Sequence, residues 1–298
     1  MAPTPYRLPN DGKFRTINFS GGRSSAHMLY HLLDAHDGQL PNSTVVVFAN
    51  TGVERAETLD FVHACEVWWK VPIVWLEFDY DETAAGGRRD PKVKHKVVNF
   101  DTASRQGEPF RIMTQKAKRL PNVVERRCTA ELKVSTVERF CIRDLGWPAP
   151  SQRRVLGIRY DEPRRWRKAL YEECRNEYPM VHAGVTKEMV SEFWNEQPFD
   201  LDIPSWQGNC TLCFMKGEAN LMRTMREHPE LAQWWIDLEE DHVDRQANSP
   251  LVNLSHAQFS KRWSYRQLFE RAMNSPELPF DGAGEDDGEL GANCGCTD

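Results

Sequence analysis

The segment Ser20-Gly21-Gly22-Arg23-Ser24-Ser25 directly follows the apolar-patterned residues 14–19 and constrains this chain more than any other stretch. A strand that breaks into Ser-Gly-Gly and then opens an amphipathic helix is suited to holding phosphate. Two glycines let the backbone approach a ligand through φ angles that other residues resist. The N–H groups that follow sit at a helix N-terminus, where the dipole favours anions. Ser20, Ser24 and Ser25 add hydroxyls, and Arg23 adds a positive charge. The same letters also describe a plain strand-to-helix turn with a serine cap; the surrounding pattern separates the two.

The first third of the chain alternates apolar strands with amphipathic helices. Residues 14–19, 44–49 and 72–78 read as strands, and 25–35 and 54–69 as helices. Met28, Leu29, Leu32 and Leu33 share one face of the first helix. Such alternation implies a parallel sheet covered on both faces, with ligands at the carboxyl ends of its strands. Ser20-Gly21-Gly22 lies at one such end and Asn50-Thr51-Gly52 at the next. Residues 80–127 lack periodicity and read as a long basic loop, a kind of segment that is usually functional or mobile. Residues 129–145 read as a helix, 153–158 as a strand, and 187–195, 218–227 and 229–238 as helices. The expected class is α/β. A nucleotide-binding domain would cover 1–175 and an α-rich region with a CxxC would cover 176–280. A flexible acidic tail ending in CxC would cover 281–298.

Net charge is −6 over 298 residues, yet positive charge is concentrated. From position 88 to 133 there are 13 Lys/Arg against 5 Asp/Glu, and Arg153, Arg154, Arg159, Arg164, Arg165, Arg167 and Lys168 form a second cluster. Basic clusters in an acidic protein suggest a dedicated anion site for a nucleotide or a nucleic-acid acceptor; the alternative is a solvated loop. No apolar run approaches the ~20 residues that a membrane span needs, and the polar, proline-rich start does not read as a signal peptide. A cytoplasmic protein with no membrane partner is the expectation. Eight cysteines then point to metal or redox chemistry rather than disulfides. Cys210-Thr211-Leu212-Cys213 is a knuckle that zinc, an Fe–S cluster or a redox dithiol could each use. Cys65 and Cys141 fall in helical patterns and read as small core residues.

Residues 20–25 resemble the PP-loop, Ser-Gly-Gly-x-Asp-Ser, of the ATP pyrophosphatase superfamily, which includes the PAPS reductase-like proteins. Arg23-Ser24 stands where Lys-Asp is usual. Asn50-Thr51-Gly52-Val53-Glu54, followed by Glu57-Thr58 and Phe61, resembles the superfamily's "Asp-Thr-Gly … Glu-Thr … Phe", with Asn50 in place of Asp. Gly157-Ile158-Arg159-Tyr160-Asp161-Glu162-Pro163-Arg164-Arg165 is similar to "Gly-x-Arg-x-x-Glu-x-x-Arg". The likeness covers roughly residues 14–170. It implies an adenine nucleotide alpha hydrolase-like fold, a twisted parallel sheet with helices on both faces. Ser20, Gly21, Gly22, Arg23, Ser24 and Ser25 would then hold phosphates. Asn50, Thr51, Gly52 and Glu54 would line the adenosine pocket, and Gly157, Arg159, Arg164 and Arg165 would face the same crevice. Lys133, Arg159 and Arg23 would neutralise charge that develops on the phosphates. Cys128, Cys210 and Cys213 resemble part of the cysteine set that binds a [4Fe–4S] cluster in bacterial adenylyl-sulfate reductases. Position 127 is Arg, which breaks the expected Cys-Cys pair and leaves Cys296 as a candidate fourth ligand. Zinc is the alternative metal. Cys294-Gly295 matches the Cys-Gly that carries the reductases' C-terminal nucleophile.

Three activities are compatible with the resemblance. The first is ATP·Mg²⁺ cleavage between the α and β phosphates, adenylating an acceptor such as a nucleic acid or preparing sulfur transfer from a donor protein. The second is reduction of phosphoadenylyl or adenylyl sulfate through Cys294, with thioredoxin resolving the intermediate. The third is a non-catalytic nucleotide- or nucleic-acid-binding module, which the loss of Lys-Asp favours. Each is compatible with a homo-oligomer.

Overall fold

The computed structural model describes residues 5–84, 92–167, 175–204, 206–247 and 257–275. The elements run β1 (Phe14–Asn18), α1 (Arg23–Asp34), β2 (Thr44–Asn50), α2 (Ala56–Trp69), β3 (Ile73–Tyr80), β4 (Val93–Val98) and α3 (Glu108–Ala117). A π-helical segment (Cys128–Ser135) leads into α4 (Thr136–Arg143), β5 (Gln152–Leu156), the short α5 (Pro163–Trp166) and β6 (Asn176–Glu177). The short α6 (Pro179–His182), then α7 (Lys187–Asn195), α8 (Glu218–Glu227), α9 (Glu230–Ala247) and α10 (Tyr265–Asn274) follow.

Six strands form one sheet in the order β4-β3-β2-β1-β5-β6. All neighbours are parallel except β3 and β4. Side-chain alternation explains why both faces are covered. On β2, Val46 and Phe48 pack with Leu29 of α1 and Leu59 and Val62 of α2. Val45, Val47 and Ala49 face Val137 and Phe140 of α4. The chain winds outward from β1 to β4, then returns to lay β5 on the other side of β1. That reversal is a topological switch point, where open α/β sheets bind ligands. Asn18 pairs with both Val47 and Leu156, so the loops after β1 and β5 emerge side by side.

A second core joins the two halves of the sequence. Val53, Phe78, Phe110 and Leu132 pack with Leu212, Met225, Trp235, Phe259 and Tyr265. The C-terminal helices therefore share their interior with residues 93–132. The sequence pattern predicts only a loop over 80–127, and the structure instead places β4 and α3 there. β4 is an edge strand reading Val-Lys-His-Lys-Val-Val, charged as exposed edges usually are, which hides it from an apolar pattern. Residues 129–145 are not one uniform helix, since the turn from Cys128 to Ser135 is π-helical. α9 runs longer than 229–238, and α10 opens on a capping box between Ser264 and Gln267, a Ser-x-x-Gln signal legible in the sequence. The tail over 281–298, with Cys294 and Cys296, lies outside the described residues. No helix among the described residues is long and apolar enough to cross a membrane.

One buried carboxyl fixes α9 to the segment that enters α10. Glu239 is 2% exposed and accepts from the backbone N–H groups of Phe259 (3.1 Å) and Tyr265 (2.6 Å). Burial outweighs these bonds and pushes its pKa up to about 7. A carboxyl raised in the folded state contributes stability that is full below its ordinary range and is lost as pH rises through 7. His27 behaves oppositely: burial, then His31, depresses it to about 3, so its contribution is lost as pH falls below the ordinary histidine range. Between pH 5 and pH 8 the two contributions oppose each other, so Glu239→Gln should turn the pH dependence of the urea-unfolding midpoint toward a rise with pH, the histidine contribution alone. The full effect of the carboxyl is on the order of 3 kcal/mol.

Candidate functional site

The loop after β1 is held by its own serines and by α2. Ser25 Oγ donates to the Gly22 carbonyl (2.9 Å), accepts from the Ser20 N–H (3.1 Å) and lies 3.0 Å from Ser20 Oγ. Gly21 has φ +80°, and a Cβ there would stand 2.7 Å from Thr58 Cγ2. The glycine is thus required twice, by backbone conformation and by contact with α2. No side chain caps α1 at Gly22, and the start of such a helix favours an anion. Gly157, just past β5, meets this turn from the other side. A Cβ on Gly157 would lie 2.7 Å from Ser25 Cα and 3.0 Å from Ser25 N.

Arg159 lies two residues beyond Gly157 and is 8% exposed. It donates through Nη1 to Ser24 Oγ (3.1 Å) and through Nε to Asp161 (3.0 Å), while its own N–H donates to Glu162 (2.9 Å). Glu162 also pairs with Arg165. The turn after β5 is therefore braced internally and against the first helix.

A cavity of about 400 Å³ opens where these loops meet. Ser20, Ser25 and Gly157 form one part of its wall. Val47, Ala49, Val134, Val137 and Leu156 supply an apolar surface. Among the described residues of the wall, Lys133, Arg154, Arg164, Arg165 and Arg175 bring five cations, against Glu138 as the one carboxylate. The Arg175 guanidinium holds Glu138 at 3.0 Å. A volume of this size suits a small-molecule ligand, and an apolar slot with cations converging on it suits a nucleoside carrying phosphates.

The structure brings Ser20, Ser25, Gly157, Lys133, Arg164 and Arg165 to one cavity wall and gives other expected site residues different work. Asn50 is buried and donates to Glu77 (2.6 Å) and the Ser104 carbonyl (2.8 Å), while its Oδ1 accepts from Gly52 (3.1 Å). Thr51 donates to the Glu54 carboxylate through its N–H (2.9 Å) and its hydroxyl (2.7 Å). Glu54 stands 4.0 Å from Lys133 Nζ. Asn50, Thr51, Gly52 and Glu54 thus brace the second loop, and Glu54 steadies a cavity cation. Arg23 turns away. Its Nε and Nη2 both reach Asp200 at 2.7 Å, and Nη1 donates to the Ile203 carbonyl (3.0 Å). The guanidinium at the position of the usual lysine anchors residues 200–203 rather than lining the cavity.

The CxxC segment is stitched between the site and the second core. Asn209 donates to the Ser20 carbonyl (3.0 Å), and its own carbonyl accepts from Arg55 (2.9 Å). Cys210 bridges Glu54, and the Thr211 N–H donates to the Val53 carbonyl (3.0 Å). The buried Lys216 donates to the carbonyls of Cys210 and Thr211, both at 3.0 Å, and Tyr265 donates to that of Leu212. Cys128, Cys210 and Cys213 all pack against the second core. Among the described residues, however, no three His, Cys, Asp or Glu side chains form a group that could hold a metal ion. Cys294 and Cys296, the other candidates of the expected cysteine set, lie outside the described residues.

Arg154 and Arg175 are cavity residues that no motif singles out. The signal for Arg154 is the alternation along β5, which turns Gln152, Arg154 and Leu156 to the cavity face, whereas Arg175 lies just before β6. Gly157 and Lys133 are legible earlier, one from its motif and one from the basic stretch.

No family model matches the chain, and no solved structure matches it. The sequence is 30% identical over 205 residues to a protein of Escherichia phage lambda described as "Uncharacterized nin region protein ORF290", with 69% of this chain and 67% of that protein covered. The chain belongs to the nin region protein ORF290 family. The name of the phage protein states no ligand and no reaction, so the site of this family member is read from its own geometry.

The position of Arg23 yields a test by double-mutant cycle. Arg23→Ala and Asp200→Ala should each lower stability, and the double variant should lose less than their sum. The coupling should be about 1 kcal/mol or less, because both side chains are partly solvated, and urea unfolding measures it. Gly157→Ala should cost more, roughly 1–3 kcal/mol, since its Cβ meets backbone and not a yielding side chain.

Proposed function

We propose that this member of the nin region protein ORF290 family is a PAPS reductase-like PP-loop protein. On this reading it binds ATP with Mg²⁺ and cleaves it between the α and β phosphates, adenylating an acceptor. The observation that carries the reading is the meeting of the Ser20–Ser25 turn, Gly157 and Lys133 at one wall of a cavity at the switch point of the sheet. The first-turn N–H groups of α1 would receive the phosphate oxygens, and Lys133, Arg164 and Arg165 would neutralise the charge that builds on the leaving pyrophosphate. The acceptor nucleophile forms a bond to the α phosphorus as the α–β bridging P–O bond breaks, and that electron pair leaves with pyrophosphate. Val47, Ala49, Val134 and Leu156 would bury the base and exclude water. Mg²⁺ would supply further neutralisation, and Glu138, once released by Arg175, is the wall carboxylate among the described residues that would help to hold it.

A second reading has its own observation. Arg23 is committed to Asp200, so the loop keeps its N–H donors but lends the cavity no cation of its own. That favours nucleotide binding without turnover. Incubation with ATP labelled in the α phosphate, resolved for AMP and AMP-acceptor conjugates, separates the readings. The first expects AMP-containing product, with Lys133→Gln lowering its rate by about 10²-fold. Tight ATP binding with no product supports the second, and absence of ATP binding rejects both.

A further inference from the structure

The turn after β5 carries an aromatic pair that the nucleotide site does not use. Tyr160 is 53% exposed, although its ring stacks on that of Trp166 with centroids 6.0 Å apart and an interplanar angle of 24°. The backbone of Tyr160 is held at both ends. Its N–H donates to the Val185 carbonyl (2.8 Å), and its carbonyl accepts from Trp166 Nε1 (3.2 Å). The guanidinium of Arg167 lies 5.9 Å from the Trp166 ring centroid. An exposed ring fixed in this way is pre-organised, so little conformational entropy is lost when a flat partner stacks on it.

Charge narrows the chemistry of that partner. Residues 153–168 hold seven Lys/Arg against two Asp/Glu. Both carboxylates are engaged in bracing the turn. Asp161 accepts from Arg159 Nε (3.0 Å) and the Lys187 N–H (3.1 Å), while Glu162 accepts from the Arg159 N–H (2.9 Å) and pairs with Arg165. Arg164 and Arg167, which flank the pair, are exposed. Ile158 and Arg164, before and after Tyr160 in the chain, line the cavity, so the aromatic pair stands at its rim. Stacking alone does not mark a site. Trp68 is 58% exposed and stacks on Phe199 at 5.8 Å and 24°, yet α2 places none of its residues on the cavity wall. Exposed rings interleaved with arginines suit a strand whose bases are unpaired, because rings stack on base faces while cations follow the phosphates. A duplex keeps those base faces inside its own stack.

We propose that Tyr160 and Trp166 form a stacking platform for single-stranded nucleic acid at the rim of the cavity, with one base on Tyr160 and the adjoining phosphates on Arg164 and Arg167. This rests on the nucleotide reading in one respect, since it names the class of acceptor that would lie beside the bound nucleotide. Strand binding itself needs no nucleotide.

Fluorescence anisotropy on the full chain tests it with labelled dodecathymidylate, dodecauridylate and a DNA duplex of the same length, at low and at physiological salt. At least one single strand should bind about tenfold or more tightly than the duplex, and its binding should weaken as salt rises. Tyr160→Ala should weaken it about tenfold, whereas Tyr160→Phe, which keeps the ring, should hold it within about twofold. Arg167→Gln should weaken it and flatten its salt dependence. Trp68→Ala, which removes the other exposed stacked ring, should leave it unchanged. Tighter thymidylate assigns a DNA strand, tighter uridylate an RNA strand, and equal affinity the base and phosphate chemistry that the two share. No single-strand binding, a duplex bound as tightly, or an affinity indifferent to Tyr160→Ala overturns the platform. ATP·Mg²⁺ is titrated in parallel by calorimetry. Tyr160-dependent strand binding without ATP binding overturns the nucleotide reading alone, and ATP binding without strand binding overturns the platform alone.

Discussion

The contact between Gly157 and the first turn of α1 is the constraint on which the candidate site depends. With a would-be Cβ 2.7 Å from Ser25 Cα, the end of β5 and the start of α1 are in backbone contact. That contact fixes where the turn after β5 can run, and so where Arg159 meets Ser24 and Arg165 meets Glu162. The cavity lies over the paired strands β5, β1 and β2, between the two pinned loops and the π-helical segment. Parallel strands on either side of a switch point make such a crevice possible. The glycine contact brings the two loops together at one end of the cavity.

A second layer of bracing comes from far along the chain. Asn209 reaches the Ser20 carbonyl, and Cys210 and Thr211 pair with the backbone around Glu54. The loop that carries Glu54, and through it Lys133, is thereby tied to the second core by way of Tyr265 and Trp235. The CxxC segment thus has a structural task whatever chemistry its thiols perform. It joins the loops after β1 and β2 to the helices over 218–274.

Much of the sheet was legible in the sequence because strands buried on both faces leave continuous apolar runs, as in Val45–Phe48. The Ser-Gly-Gly turn, Gly157 and Lys133 were legible too, since turn chemistry and charge are written locally. β4 was not, because its Lys94, His95 and Lys96 obey the needs of an exposed edge. The destination of Arg23 was not, because it is set by Asp200, 177 residues away, and no local pattern encodes a long-range ion pair. The loop position of Asn50 points to a ligand, whereas its amide donates to the buried Glu77. Arg154 was visible only as one charge in a basic run; its role emerges once β5 gives that run a face.

Photolabelling with 8-azido-ATP, followed by peptide mass mapping, tests the central claim most directly, that an adenine nucleotide occupies the cavity between the ends of β1, β2 and β5. The account predicts ATP-competable label on peptides that carry residues 44–50, 128–137 or 152–158. Competable label confined to peptides elsewhere, or labelling that excess ATP does not reduce, would contradict it.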